Sequence, residues 1–330
     1  MLAMLLVTAC AADHESDATL AVKDYVDDEL DALRQAVLDL AAAAPAPDAD
    51  GWNASEDAAA VAAMRDAWLR ARISYERIEG AIAVLFPHLD ESTDERYDGF
   101  IESATDDDLF DGAGVTGMHA IERILWADAH PAHVVAFESA LLGYTPASYP
   151  VDEGQATRFR DALVGRLLDD VSTMRDQFAP LALDPAAAFR GVIGSMAEQL
   201  EKVTLAATGE DESRYSQKTL ADMRANLEGG QTIYRLFQPW VRSVDGGADR
   251  DANVEAGFAR MQAEYAMTVG DSLPPVPDGW NPDAPDPAHL ATPYGRIWQL
   301  LSAETDRASS ESLVSDMNAA AGSIGIPLLP

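Results

Sequence analysis

The stretch VDDELDALRQAVLDL, residues 26–40, shows the pattern that decides the fold. Its apolar side chains recur every three or four positions, so that one face of a helix carries all of them. They are Val26, Leu30, Leu33, Val37 and Leu40. The segment 152–178 repeats this period with larger side chains, namely Phe159, Leu163, Leu167, Val171, Met174 and Phe178. Both stretches predict long amphipathic helices that bury one face against other helices.

Helical periodicity continues through most of the chain, and capping residues and prolines mark its interruptions. We predict further helices at 55–86, 115–127, 185–208, 216–237, 250–269, 293–305 and 310–321. Ser55 and Ser216 are expected to cap two of these helices, and Asp184 to cap a third. Pro239 is expected to stop the helix that starts at Ser216. The segments 41–51, 87–114 and 273–287 predict loops, with a short helix near 97–103.

The whole pattern is helical. The sequence has no period-two alternation flanked by hairpin turns, which argues against a sheet, and no fixed-period repeat of the solenoid type. Long helices with mostly short connections are typical of bundles, and 330 residues suffice for two of them. We therefore predict an all-α fold of two packed helical bundles made of long up-and-down helices.

The composition is that of a folded and strongly acidic protein. Apolar residues make up 48% of the chain, which allows a sizeable core. The 56 acidic residues face 23 basic ones, for a formal net charge of −33. Such a surface repels nucleic acid and anionic lipid and attracts cations, so no nucleic-acid partner is expected. Solubility in salt is the simpler explanation of the acidity, which supports a cation-binding function only weakly.

The N-terminal segment resembles a bacterial lipoprotein signal. The first nine residues are apolar and end in small side chains, and Val7-Thr8-Ala9-Cys10 resembles a lipobox, whose cysteine is lipidated. A plain cleaved signal or a chance match is the alternative, because no Lys or Arg precedes the apolar run. We predict a signal peptide at 1–10 with lipidation at Cys10, a polar tether at 11–19 and a helical domain at 20–325. No later stretch of the sequence has 18 consecutive apolar residues, so no membrane-spanning helix is predicted.

The segment GMHAIE, residues 117–122, is the best-marked candidate for chemistry. Cys10 is the only cysteine, so metal ligands must come from other residue types. His119 and Glu122 are three positions apart on the predicted helix, and this pair suits zinc, iron, copper or manganese. Gly117 allows another backbone to approach closely. An exposed His/Glu pair beside a stray glycine is the alternative, because this spacing alone is a weak signal.

A second pair, Glu76 and Glu79, lies in the predicted helix 55–86 among aromatic and aliphatic side chains. Two buried carboxylates on one face need a cation or a proton to offset their repulsion. Helical bundles build metal sites in this way from facing helices. An exposed acidic face is the alternative. Asp90 and Asp94 follow in the acidic segment and either close the site or belong to a solvated loop.

Several short motifs occur in order along the chain. They are RISYERIE (72–79), LD (89–90), DER (94–96), TGMHAIERILW (116–126), LEKV (200–203), TGE (208–210), RYS (214–216) and RANLEG (224–229). Together they resemble the imelysin-like family, and within it the EfeO-type iron-uptake proteins, from about Leu20 to the C-terminus. The resemblance implies two packed helical bundles with a metal site between helices. It also implies a place in the periplasm or cell envelope, lipid-anchored to a bacterial membrane, and a role in iron acquisition.

The resemblance further implies a ligand set. The implied ligands are Glu76, Glu79, Asp94, His119 and Glu122, with Glu201 and Glu210 as weaker candidates. One histidine with several carboxylates suits iron, calcium or manganese rather than copper(I). Iron is the expected ion because of the resemblance, with zinc or calcium as alternatives. An iron permease and a peroxidase are the implied partners.

Two other functions remain open beside iron binding for uptake. The family carries a metallopeptidase label, which makes an imelysin-type metallopeptidase the runner-up. A zincin, however, needs HExxH, or HxxEH in the inverted form, and here Arg123 follows Glu122 and is not a ligand. The sequence also shows no serine or cysteine in a nucleophile setting. The third possibility is a structural or polysaccharide-binding envelope protein whose bundle is held together by metal.

Overall fold

The described residues are 2–53, 55–102 and 104–327 of a computed structural model, with side chains described from His14 onward. None of these residues lies in a β-strand, which confirms the all-α prediction. One π-helical segment, Phe159–Leu163, lies between two α-helical segments. The helices are α1 (Leu2–Ala43), α2 (Ala58–Glu76), α3 (Glu79–Leu85), α4 (Pro87–Asp94), α5 (Tyr97–Ile101), α6 (Gly117–Leu125), α7 (Ala132–Glu138), α8 (Glu153–Arg158), α9 (Val164–Phe178), α10 (Pro185–Leu205), α11 (Thr219–Arg242), α12 (Gly247–Met267), α13 (Pro287–Leu290), α14 (Pro293–Glu304) and α15 (Leu313–Ser323).

The helices form two groups that share one continuous core. In the first group α1 packs against α2 and α9, and α6 packs against α2 and α9. In the second group α10 and α12 each pack against α14 and α15. Helix α11 contacts α1 and α2 on one side and α10 and α12 on the other, so it joins the groups. The apolar stripes of residues 26–40 and 159–178 are fully buried, as their period predicts.

The helix predicted at 55–86 is interrupted. The chain leaves the helical path at Arg77 and Ile78, where Ile78 has φ −120° and ψ −4°. Gly229 of α11 lies against this break, since a Cβ on Gly229 would be only 2.0 Å from the Arg77 carbonyl oxygen. The break places Glu76 at the end of α2 and Glu79 at the start of α3. The two carboxylates therefore do not project from one continuous helix.

The prediction of a loop at 87–114 is wrong for its first part. Helix α4 begins at Pro87, where a proline has a favourable φ and lacks only an N–H that a helix start leaves unpaired. Asp90 in its first turn is favourably placed near the positive end of the helix. The predicted short helix near 97–103 is present as α5, and α7 is a helix that the sequence pattern did not indicate.

Two predicted caps and one predicted helix end are also wrong. Gln217 has a positive φ of 57°, so α11 begins at Thr219 rather than at Ser216. The side chain of Asn53 accepts the N–H of Ser55, which places Ser55 in a turn before α2. Helix α11 continues through Pro239, because burial of the neighbouring aromatic and aliphatic side chains outweighs the cost of about 3 kcal/mol for an interior proline. Asp184 caps α10 as predicted, accepting the Ala186 N–H.

Met1 lies outside the described residues, and the rest of the predicted signal (1–10) and tether (11–19) falls on the first half of α1. The side chain of Cys10 lies outside the described residues, so its lipidation stays a prediction. None of the described helices combines the length and the apolar content needed to cross a membrane.

Candidate metal centre

Several helices converge on one buried acidic cluster between the two groups. The junction of α2 and α3 contributes Glu76 and Glu79, the end of α4 contributes Asp94, and α6 contributes His119 and Glu122. The structure therefore brings all five principal predicted ligands together. Glu76, His119 and Glu122 are at most 1% exposed, which excludes an exposed His/Glu pair or an exposed acidic face at these positions.

Gly117 allows the start of α6 to lie directly against the end of α4. Its φ of +83° is a left-handed conformation that favours glycine. A Cβ at this position would lie 2.5 Å from the Thr93 carbonyl oxygen and 2.7 Å from that of Ser92. The close approach expected of this glycine is therefore present, and it brings His119 beside Asp94.

We expect Gly117→Ala to weaken both the fold and the site. A left-handed backbone costs an L residue about 1–2 kcal/mol, and the new methyl group would push α6 away from α4. Thermal unfolding and metal titration of the same variant measure the two effects. Gly165→Ala in α9 is the control, because its Cβ would meet no atom within 4 Å. Wild-type melting and wild-type metal affinity in Gly117→Ala would contradict this role.

His119 has one engaged ring nitrogen and one that lacks a partner. Its Nδ1 lies 3.0 Å from Oε2 of Glu122, and Oε1 of Glu122 accepts the Ser216 N–H at 2.8 Å. Its Nε2 is buried without a hydrogen bond, 3.4 Å from Oδ1 of Asp94. Burial lowers the pKa of His119, so the ring is neutral at pH 7. With the proton on Nδ1, the lone pair of Nε2 faces a carboxylate oxygen, and a cation between these two acceptors would satisfy both.

Arg72 of α2 lies at the centre of the cluster and is fully buried. Its guanidinium donates to Glu76, Asp94 and Glu212, and its Nε lies 3.6 Å from Oδ2 of Asp222. Burial alone would lower the pKa of Arg72, but the surrounding carboxylates raise it well above its ordinary value, so the group stays charged. One cation thus holds carboxylates from α2, α4, α11 and the α10–α11 connection in place.

Lys202 of α10 is the second buried cation. Its Nζ lies 3.1 Å from Oε2 of Glu76, 3.2 Å from Oε2 of Glu79 and 2.8 Å from Oε2 of Glu212. The side-chain amide of Asn226 in α11 also donates to Glu79. Lys202 therefore joins the α2–α3 junction to the α10–α11 connection.

The charges of this cluster do not balance. Among the described residues, the two cations face six carboxylates that lie within the cluster. These are Glu76, Glu79, Asp94, Glu122, Glu212 and Asp222. Uncompensated buried carboxylates are unfavourable, so the cluster needs protons or further cations.

Protons supply part of the missing positive charge. Burial raises the pKa of Asp94 to about 6, of Glu79 to about 7 and of Asp222 to about 8. Burial would also raise the pKa of Glu212, but the two buried cations outweigh it and lower that pKa below its usual value. The cluster therefore keeps protons near pH 7 that a metal ion would displace on binding.

An acidic cavity of about 340 Å³ borders the cluster. Glu79, Asp94, Lys202 and Glu212 belong both to its lining and to the cluster. The rest of the lining is mainly acidic as well, namely Asp90, Glu91, Glu95, Glu198 and Glu201, with Arg96 and Leu205. Such a lining concentrates cations at the approach to the site.

Comparison with known proteins decides the family. A family model described as Imelysin matches residues 20–321. The chain belongs to the imelysin family. The crystal structure of an imelysin-like protein from Psychrobacter arcticum 273-4 superposes with a TM-score of 0.53 at 13% identity, covering 99% of this chain and 96% of that one. The helical imelysin fold is thus shared along nearly the whole chain.

Several curated relatives of this imelysin carry the name iron uptake system component EfeO. Those of Escherichia coli O1:K1, E. coli K12 and Shigella flexneri are each 29% identical over 195 residues. The match covers 59% of this chain and 42% of each relative. The chain therefore matches less than half the length of these relatives.

Residues that the sequence pattern did not indicate complete the buried acidic cluster. Glu201 is exposed on the rim of the cavity, and Glu210 is half-buried and accepts the Thr208 hydroxyl. The carboxylate that reaches the cluster from this region is instead Glu212. One signal pointed to Glu212, namely its position two residues before the motif that starts at Arg214. The contact of Arg72 with Glu76 follows from their i,i+4 spacing on a buried helix.

Proposed function

We propose that this protein binds an iron ion through His119, Asp94 and Glu212 and acts in iron uptake. The observation that carries the proposal is the buried Nε2 of His119, which has no hydrogen-bond partner and faces a carboxylate. A ring nitrogen of His119 and one oxygen from each carboxylate lie within 4.8 Å of one another. That spacing suits three ligands of one ion.

Glu122 is better suited to orient His119 than to bind the ion. Its Oε2 contacts the imidazole Nδ1, the ring nitrogen away from Asp94, and its Oε1 accepts the Ser216 N–H. A carboxylate that holds the far nitrogen of a metal-binding histidine fixes the tautomer and the ring plane. We therefore assign Glu122 a positioning role, although the sequence motif predicts a ligand.

The donor set narrows the choice of metal. Calcium takes oxygen ligands, so a histidine donor argues against it. One imidazole with two carboxylates suits iron, zinc or manganese. The name that the curated relatives share, iron uptake system component EfeO, supports iron among these. The strongly negative chain and the acidic cavity beside the site support a role in collecting cations.

The proposal includes the setting in which iron is delivered. We place the protein in the cell envelope, anchored by lipid at Cys10, where it passes iron to an iron permease and a peroxidase of the same uptake system. This part rests on the motif resemblance and on the names of the relatives.

A peptidase mechanism has less support. Arg123, at the position where an inverted zincin would have its second histidine, is buried and donates to Glu138 at 3.1 Å and to the Thr145 carbonyl at 2.6 Å. The Arg123 side chain therefore belongs to a hydrogen-bond network that is separate from the candidate metal site. Glu122 has both oxygens engaged and is poorly placed to act as a free general base.

His119→Ala should weaken iron binding by about 100-fold or more. Removal of a residue that only orients a ligand costs about 10–100-fold in metal affinity, and loss of the ligand itself should cost at least as much as the upper end of that range. Anaerobic titration of the metal-free protein with Fe²⁺ by calorimetry, with metal analysis after desalting, measures the effect. His133→Ala is the matched control, because His133 is exposed on α7. Competition with Zn²⁺ ranks the two metals.

Unchanged Fe²⁺ affinity in His119→Ala would refute the assigned site. Stronger binding of Zn²⁺ than of Fe²⁺, together with casein turnover that disappears in Glu122→Gln, would favour the metallopeptidase instead.

A further inference from the structure

Lys202 lies inside a second group of potential metal ligands. Glu76, Glu79 and Glu212 each offer a carboxylate oxygen, and these oxygens lie within 4.8 Å of one another. The Lys202 ammonium is 2.8 to 3.2 Å from all three side chains. A compact point charge at the focus of three carboxylates stands where a metal ion would stand.

The second ligand group shares Glu212 with the proposed iron site. One oxygen of Glu212 faces Lys202 and the other accepts from Arg72. Paired metal ions lie about 3.5–4 Å apart in two-metal sites, and in helical bundles carboxylates supply most of the ligands of such pairs. The two ligand groups here likewise share a carboxylate, and the Lys202 ammonium lies among the ligands of the second group.

We propose that Lys202 acts as a built-in monovalent cation that keeps this site mononuclear. The inference rests on the proposed function, since it concerns how many ions the same cluster takes. A metal ion cannot enter the Glu76/Glu79/Glu212 group while the ammonium stays among these carboxylates. Replacing the ammonium with an apolar group would leave the three carboxylates without their shared cation and open the position to a second ion.

Lys202→Met tests this with Mn²⁺ as the probe. We expect one Mn²⁺ per chain in the wild type and two in the variant, counted by metal analysis after desalting. The EPR spectrum should change from that of an isolated Mn²⁺ ion to that of an exchange-coupled pair. The variant is purified with Mn²⁺ present, because the second ion replaces the lost positive charge. A variant that is soluble only with metal and then holds two ions per chain is the same positive result.

Two further variants control for indirect effects. Lys218→Met removes a half-buried lysine that pairs with Asp271 at 2.8 Å, and it should still bind one ion. The double variant K202M/E79Q removes one carboxylate of the second group and should return to one ion. One ion in folded Lys202→Met, or two in the wild type, would overturn the inference and leave the iron site standing. No ion in the wild type would refute the proposed function itself.

Discussion

Arg72→Met should destabilise the metal-free protein by about 3–5 kcal/mol, the range measured when one partner of a buried ion pair is removed. Arg72 is fully buried and donates to Glu76, Asp94 and Glu212. Methionine keeps much of the apolar volume but leaves these carboxylates facing one another with Lys202 as the remaining buried cation of the cluster. Equilibrium urea unfolding at pH 7 in the presence of a chelator measures the free energy of unfolding.

The same variant should respond more strongly to metal than the wild type. A bound ion replaces part of the lost charge, so saturating Fe²⁺ should raise the melting temperature of Arg72→Met by more than that of the wild type. Arg160→Met is the matched control, because Arg160 pairs with Asp161 at the surface, where a pair contributes about 0–1 kcal/mol. Equal stability of metal-free Arg72→Met and wild type would show that protons and Lys202 balance the cluster without Arg72.

The long helices could be predicted because their apolar side chains repeat with the helical period. The stripe from Phe159 to Phe178 needs only this period to define a buried face, and the structure buries all of it. Local signals failed where tertiary packing decides the backbone. The break at Arg77 depends on the approach of Gly229 from α11, and the continuation of α11 through Pro239 depends on burial of its neighbours. No window of a few residues contains that information.

The candidate site also contains residues that the sequence could predict and residues that it could not. His119 and Glu122 lie on a regular helix, so their spacing predicted that they share a face. In the structure Nδ1 of His119 lies 3.0 Å from Oε2 of Glu122. Glu212 lies in the irregular connection between α10 and α11, where no period relates sequence position to direction. Lys202 was not predicted either. A lysine close to glutamates in sequence is usually exposed to solvent, and only the structure shows that its partners are buried carboxylates. The sequence therefore indicated part of the ligand set and left its counter-charges unassigned.

The metal-free protein should lose about 3 kcal/mol of stability between pH 6.5 and pH 9, opposite to the trend expected for ion-paired carboxylates. Burial raises the pKa of Asp222 to about 8 and that of Glu79 to about 7. In the unfolded chain these groups have pKa values near 4, so above pH 6.5 only the folded state still binds their protons. The unfolding free energy therefore falls as pH rises and these protons leave the fold. Burial lowers the pKa of His119, so its titration shifts away from this window.

Bound metal should reverse the trend, because the ion takes the place of the protons and its affinity rises as they leave. Urea midpoints across this range, with a chelator and with saturating Fe²⁺ under argon, compare the two states. Asp222→Asn keeps the shape of the side chain and removes the group with the higher pKa, so most of the pH dependence of the metal-free protein should disappear in it. A wild-type midpoint that is flat or rises with pH in the chelator would mean that these carboxylates are already ionised in the fold. In that case the cluster would keep its excess negative charge, offset only in part by Arg72 and Lys202, until metal arrives.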